Sequence, residues 1–203
     1  MPRTKEQYEQ MRNATKEKIQ TAAMQLFVQK GFGSTNVQDI ADAAEISIGL
    51  LYRHYKSKEK LFNELVDFAL AGMIQQKEYF ESNEVSPKQA LDQFVHEIYN
   101  DMMTGEQFAN LLILMQQSFL TGGGATVNYV EVTRVSEQLF RATARLITKG
   151  QEQGQFRSGN PHEMVVLFYS TIHGLAAMKM MLQHNFQMPS PAALTSFLYK
   201  EGE

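Results

Sequence analysis

The chain has 203 residues, of which 43% are hydrophobic, and its formal net charge is −3 at pH 7. This length allows one large domain or a small domain with a larger one, and the composition excludes intrinsic disorder, which requires low hydrophobicity and high net charge. Because cysteine is absent, disulfide bonds and thiolate metal sites are excluded.

Charge is distributed unevenly along the chain. Residues 1–60 carry a net charge of +3, whereas residues 61–203 carry −6. A basic N-terminal segment followed by an acidic one is typical of a protein that binds phosphates at one end. The polar start lacks the apolar run of a secretory signal, so we expect a cytoplasmic location. The most apolar stretch, residues 164–182, contains Ser170, Thr171, His173 and Lys179, which favours a buried or interfacial helix over a membrane span.

The first predicted element is a long helix from about Thr15 to Lys30. Its apolar residues recur at helical spacing from Ile19 to Phe27, and Gly31 follows as a residue that ends helices. The basic residues before this helix are Arg3, Lys5 and Arg12. They belong either to an arm that binds DNA or to a frayed, solvated tail.

Two short helices and a longer one follow. Asn36 is a good N-cap, with Asp39 three residues on, and this helix is predicted to end at Ala44. Ser47 is the next N-cap candidate, for a helix through Tyr52. Ser57 then caps a helix that continues to about Glu81.

The remainder is predicted as further helices. They run from Pro87 to Gly105, through an apolar stripe at 108–119, from Val127 to about Gln151, from Pro161 to about Gln183, and over a short segment near 192–199. Since no segment shows strand-like alternation, the predicted fold class is all-α.

Two short helices joined by a tight turn describe a helix-turn-helix, whose second helix fits the DNA major groove. Residues 33–41 (GSTNVQDIA), 46–55 (ISIGLLYRHY) and 57–61 (SKEKL) resemble the second helix, the recognition helix and the start of the fourth helix of the TetR family. The resemblance covers roughly residues 15–62. It implies a three-helix DNA-binding domain over residues 1–56 and a helical ligand-binding and dimerisation domain over residues 57–203.

The resemblance also implies where DNA is contacted. Lys58 lies at a helix N-terminus, which favours phosphate, and Gly49 allows close approach of the backbone. Glu45 stands where family members often have glycine, so the turn is strained or differently shaped. Tyr52 and Tyr55 are alternatively core residues, and Lys58 is alternatively a solvated surface lysine. The predicted DNA-binding residues are Thr35, Gln38, Ser47, Ile48, Gly49, Leu50, Tyr52, His54, Tyr55 and Lys58.

By the same resemblance, the last two long helices, Val130–Gln151 and Pro161–Gln183, form the interface of a homodimer. The candidate seam consists of Phe168, Ile172, Leu175, Ala176 and Lys179, although its apolar members fit a monomer core equally well. The middle helices are expected to enclose a cavity for a small, largely apolar effector, although such stripes also form ordinary core. Its predicted lining is Phe94, Ile98, Met102, Phe108, Leu112, Met115, Phe119 and Met178.

His96 and His173 are candidates for orienting a polar group of the effector, or are ordinary surface or core histidines. Catalytic motifs are absent, and His96, Glu97 and Asp101 form only a weak metal pattern. The sequence therefore predicts a ligand-responsive repressor without catalytic residues, metal or cofactor, whose partners are operator DNA and an effector. A helical adaptor that binds protein is one alternative, and sequence-specific, salt-dependent DNA binding would separate it from a repressor. A transcriptional activator is the other alternative.

Overall fold

The computed structural model describes residues 4–120 and 129–199, except for the side chains of residues 119, 120 and 129. This part of the chain contains helices and no strand, which confirms the all-α prediction. The elements are α1 (Lys5–Lys30), α2 (Val37–Ala43), α3 (Ile48–His54), α4 (Lys58–Glu81), α5 (Pro87–Thr104), α6 (Gln107–Leu120), α7 (Tyr129–Glu152), α8 (Pro161–Leu182), a 3-10 helix (Gln183–Asn185) and α9 (Pro191–Thr195).

Helix α1 begins about ten residues before its predicted start. The Thr4 side chain accepts a hydrogen bond from the Gln7 backbone N–H, and the Gln7 side chain accepts one from the Thr4 backbone. This capping box satisfies two of the backbone N–H groups that every helix start leaves open. Residues 5–14 are exposed and show no apolar periodicity, which is why the prediction began too late. Lys5 and Arg12 therefore belong to a helix rather than to an arm or a frayed tail, and Arg3 lies outside the described residues.

The caps of the two short helices form as predicted. Asn36 and Asp39 make both bonds of a capping box at α2, and the Ser47 side chain accepts from the Leu50 N–H at α3. Between them, Glu45 has a φ of +55°, the left-handed conformation that glycine adopts freely and other residues adopt at a cost of about 1 to 2 kcal/mol. The turn therefore keeps its geometry and Glu45 carries the strain.

The described residues divide into two compact units, the first comprising 4–68 and 114–120, the second 69–113 and 129–199. The functional boundary expected at residues 56 and 57 stays a prediction, whereas the contacts divide within α6, between 113 and 114, and within α4, between 68 and 69. The reason is that the first turns of α4 complete the aromatic core of the first unit. The Phe62 ring lies 5.3 Å from that of Phe27 and 4.8 Å from that of Phe32, between ring centroids.

The second unit has its own core, built from α5, α7, α8 and α9. Phe94 and Phe168 pack in it with ring centroids 6.2 Å apart. Helix α9 ends at Thr195, earlier than predicted, because the chain then turns and buries Leu198 completely. The backbone N–H of Arg157 donates to the carbonyl oxygen of Leu198 at 2.9 Å, which fixes the last described turn to the α7–α8 loop.

Candidate functional site

Helix α3 presents one face to solvent. Ile48 is 38% exposed and Tyr52 49% exposed, and Gly49 lies between them with open space where a Cβ would be. Leu51, on the opposite side, is buried. A seven-residue helix with one buried side and an open face of this kind has the form required to enter a DNA groove.

Two predicted DNA contacts, Thr35 and Tyr55, are instead buried and used inside the first unit. Thr35 is 1% exposed, and its hydroxyl donates to the carbonyl oxygen of Gly31 at 2.9 Å. The Tyr55 hydroxyl donates to Glu64 Oε1 at 3.2 Å, and burial followed by the Glu64 charge raises the pKa of Tyr55. Their side chains therefore hold the domain together, which corrects the expectation that they touch DNA.

The other predicted contacts are more accessible. Gln38 is exposed on α2, where its side-chain amide donates to Asp42 Oδ1 at 2.6 Å. Ser47 is exposed, with its hydroxyl capping α3, and Leu50 and His54 are half-buried. Contact of these side chains with DNA stays a prediction.

An open groove of about 420 Å³ runs beside the exposed face of α3. It includes the N-terminal end of the 24-residue helix α4, where the Ser57 hydroxyl accepts from the Lys60 N–H at 3.3 Å. Helix N-termini and lysines together attract phosphate. The groove is lined by Gly33, Ser34, Thr35, Asn36, Val37, Tyr52, Lys56, Ser57, Lys58 and Glu59. Lys56 was missed in the sequence because it falls between two of the matched segments.

A polar cluster behind α3 holds its end in place. The carboxylate oxygen Glu64 Oε1 accepts from Lys16 Nζ at 2.6 Å, from Gln20 Nε2 at 2.8 Å and from the Tyr55 hydroxyl. The three donors come from α1 and from the residue after α3, while the acceptor is on α4. The cluster therefore sets the position of the recognition helix against its two neighbours.

His54, in the last turn of α3, is the group from which we expect a pH dependence of DNA binding. Burial, followed by the charges of Arg12 and Lys16, lowers the pKa of His54 below its ordinary value of 6.5. A nearby DNA phosphate would raise that pKa, so binding takes up a proton and affinity rises as pH falls. We expect operator affinity to increase roughly 3- to 10-fold between about pH 7.5 and 5.5, measured by fluorescence anisotropy. His54→Gln should remove the increase; an equal increase in that variant would contradict the assignment.

The predicted effector-lining residues fall into different environments. Phe94, Ile98 and Met102 are buried in the core of the second unit, and Phe108 and Leu112 pack partly buried against it. Three others do not join them. Met178 is 46% exposed, Met115 belongs to the first unit, and the side chain of Phe119 lies outside the described residues. Met178 is thus removed from the cavity prediction, because its side of α8 faces solvent.

Two polar groups in the second unit were missed by the sequence analysis. Gln76 Nε2 and Thr133 Oγ1 are buried and have no hydrogen-bond partner among the described residues. An unsatisfied buried polar atom costs about 1 to 3 kcal/mol, so each is a candidate for a partner such as a ligand. Nothing in their sequence surroundings distinguishes them from surface residues.

The candidate dimer seam on α8 faces inward. Phe168, Ile172 and Ala176 are buried in the core, Leu175 packs against it, and Lys179 Nζ donates to the carbonyl oxygen of Met102 at 2.6 Å. The alternative of a monomer core is therefore correct for the apolar members of this set.

The opposite side of α8 is exposed and apolar. We call the following residues the α8 face: Val166, Leu167, Ser170, Gly174, Ala177, Met178 and Met181. They recur at helical spacing over four turns. The segment Pro161–Asn185 is long and apolar enough to cross a membrane by length and composition, and 28% of its most apolar part is buried. One such helix is weak evidence for a span, because core helices of soluble proteins share these properties. An exposed apolar stripe along a helix is typical of an interaction surface.

The histidines and acids considered as ligands or metal ligands have local partners. His96 Nδ1 lies 2.7 Å from the Asp92 carbonyl oxygen, and His173 Nδ1 lies 3.1 Å from that of Tyr169. Glu97 accepts from Gln93, and Asp101 accepts from the Phe108 N–H. Among residues 4–120 and 129–199, no three such side chains converge as metal ligands do.

Comparison with known proteins places these features in a family. Residues 19–65 match the model of the bacterial regulatory proteins of the tetR family. The uncharacterized HTH-type transcriptional regulator YerO of Bacillus subtilis (strain 168) is 27% identical over 142 residues, which are 68% of this chain and 48% of YerO. The HTH-type transcriptional repressor NicS of Pseudomonas putida is 25% identical over 148 residues, 73% of this chain and 68% of NicS. The match therefore spans about half the length of YerO.

The fold extends the likeness to nearly the whole chain. A transcriptional regulator from Saccharomonospora viridis, solved in complex with choline, superposes with a TM-score of 0.66 at 15% identity, covering 93% of this chain and 100% of that chain. The relatives are regulators and not enzymes. The matched helix-turn-helix, the regulators among the relatives and the shared fold confirm the resemblance predicted from residues 33–61: residues 19–65 form a DNA-binding segment of the tetR family of bacterial regulatory proteins, within a TetR-like fold.

Proposed function

We propose that this protein is a cytoplasmic repressor that binds a palindromic operator as a dimer and is released by a small, largely apolar molecule. The observation that carries the proposal is the exposed face of α3, flanked by the groove at the N-terminus of α4. The name of NicS as a repressor supports the direction of regulation.

The contacts follow from exposure and chemistry. Ile48 and Leu50 offer methyl groups for apolar contact with thymine methyls, and Tyr52 offers a hydroxyl on an aromatic ring. Gly49 leaves room for the DNA to approach, since a side chain there would point into open space. Lys56 supplies an exposed charge for the phosphates beside α4.

Selection from random duplex DNA tests the proposal. The purified chain should enrich an inverted repeat whose half-sites lie about 34 Å, or a multiple of that distance, apart. Footprinting should then show protection on one face of the duplex. Enrichment of a single half-site without symmetry would contradict the dimeric arrangement, and failure to enrich any sequence would contradict operator binding itself.

The α8 face is the proposed surface for a second copy of the chain. Its small residues Ser170, Gly174 and Ala177 would let two helices approach closely, and Leu167, Met178 and Met181 would supply buried apolar area. A two-fold axis places the same patch on both subunits, so a self-complementary stripe is sufficient. Association would also remove this exposed stripe from water.

The effector is proposed to bind in the second unit. Gln76 and Thr133 carry buried polar atoms without partners among the described residues, and the core of that unit supplies apolar side chains such as Phe94 and Ile98. A largely apolar molecule with one or two polar groups fits this combination. The choline bound by the Saccharomonospora viridis regulator supports a small-molecule role for this fold.

Helix α4 can couple effector binding to DNA binding. It is continuous from Lys58 to Glu81, with its first part in the DNA-binding unit and its second part in the other. A ligand packed against residues 69–81 would therefore bias the orientation of the residues at the start of the helix. A movement of a few ångströms in each DNA-binding unit is enough to displace the two recognition helices from their half-sites, because contacts in the groove require close geometry.

Effector binding and operator binding should weaken each other by the same factor, about 5- to 150-fold. A molecule found by thermal shift is titrated with and without operator, and operator is titrated with and without the molecule. Gln76→Leu should lower affinity for an effector that carries a polar group, while leaving operator affinity unchanged. Several tight binders of the second unit that leave operator affinity unchanged would contradict the sensing role, but not DNA binding.

A further inference from the structure

Lys58, which lines the groove, is engaged inside the first unit. Its Nζ donates to the carbonyl oxygens of Phe32 at 2.8 Å and of Thr35 at 2.6 Å. The same ammonium lies 4.3 Å from the centroid of the Phe32 ring, within the range of a cation–π contact. The lysine thus has three attractive contacts with the segment that joins α1 to α2.

These contacts have an electrostatic reason. Lys58 is the first residue of α4, where the positive end of the helix dipole disfavours a cation. Two carbonyl oxygens and an aromatic face supply compensating negative potential, and hydrogen bonds that involve a charged group are the stronger kind. An ammonium placed in this way costs more to detach towards a phosphate than a solvated lysine does.

The segment that Lys58 holds determines the shape of the interface. The Phe32 ring packs against Phe27 and Phe62, and the Thr35 hydroxyl donates to the carbonyl oxygen of Gly31. Directly after Thr35 comes Asn36, the N-cap of α2. Residues 33–37 also form one wall of the groove. A change at Lys58 would therefore move the start of α2 and this wall together.

We propose that Lys58 is a positioning residue that locks the α1–α2 segment onto α4, and that exposed Lys56 makes the phosphate contact in the same groove. The proposal rests on the proposed DNA-binding function. It assigns different roles to two lysines that are two residues apart and carry the same charge, so one can serve as the control for the other.

The test compares Lys58→Met with Lys56→Met. Affinity for the selected operator and for random duplex DNA is measured over a range of salt concentrations, together with the thermal midpoint. Lys56→Met should weaken both DNAs alike and flatten the salt slope by about 0.9 for each lost phosphate contact. Lys58→Met should leave the slope unchanged, lower operator affinity roughly 10- to 100-fold, lower random-DNA affinity less than about threefold, and reduce the midpoint by roughly 3 to 6 °C.

Each other outcome has a separate meaning. A salt slope that falls as much in Lys58→Met as in Lys56→Met would overturn the proposal in favour of a direct phosphate contact. A lower midpoint with unchanged operator affinity, measured well below unfolding, would overturn it in favour of a purely structural role. If the wild type shows no salt-dependent DNA binding, the proposed function fails instead.

A second variant covers the case in which Lys58→Met does not fold. Phe32→Leu removes the ring beneath the ammonium and keeps an apolar side chain in the core. We expect it to lower operator affinity roughly 2- to 10-fold relative to random DNA at an unchanged salt slope, in line with a lost cation–π contact. Equal losses on both DNAs would contradict the positioning role.

Discussion

Replacing Leu167 with arginine should convert the protein into a monomer of 23.1 kDa that no longer binds its operator. Leu167 is 56% exposed on the α8 face and makes no contribution to the buried core of the second unit. In a two-fold dimer the substitution occurs twice at one interface and buries unpaired like charges, which costs several kcal/mol. Two half-sites can then no longer be bound together, and we expect operator affinity to fall by at least about 100-fold.

Light scattering coupled to size exclusion reports the mass, circular dichroism the fold, and gel shift the affinity. Ala192→Arg is the matched control, since it adds the same charge at an exposed position on α9. It should remain dimeric and bind normally. A Leu167→Arg protein that stays dimeric with full operator affinity would show that the subunits meet on another surface.

Replacing Tyr52 with alanine should lower operator affinity at least about 30-fold while leaving the fold intact. One lost specific contact costs about 1 to 3 kcal/mol, and the dimer loses it in both half-sites. Because Tyr52 is 49% exposed, its removal creates no cavity, so the thermal midpoint should change by less than about 2 °C.

Tyr8→Ala is the control for this experiment. Tyr8 lies in the same unit and is 59% exposed, but it is on the first turns of α1 rather than on the exposed face of α3. Its removal should change operator affinity less than about twofold. If the two variants lose equal affinity, the exposed face of α3 does not read the operator.

Features that depend on neighbours in the chain were predictable from the sequence. Asn36 with Asp39, Ser47 and Ser57 act as caps because each bonds to backbone three residues away. The left-handed Glu45 follows from its position in a tight turn. The helix-turn-helix was predictable for the same reason, since its spacing and its residue types both lie within one short segment.

Tertiary packing alone decided which side of each helix is functional. Helix α8 is apolar around most of its circumference, so periodicity could not separate buried Phe168 and Ile172 from exposed Leu167 and Met178. The same holds for Thr35 and Tyr55, whose hydroxyls suit either a phosphate or an internal acceptor. Lys58 finds its carbonyl partners 23 and 26 residues away. Sequence specifies which groups can form hydrogen bonds, whereas only the folded chain brings a particular acceptor within reach.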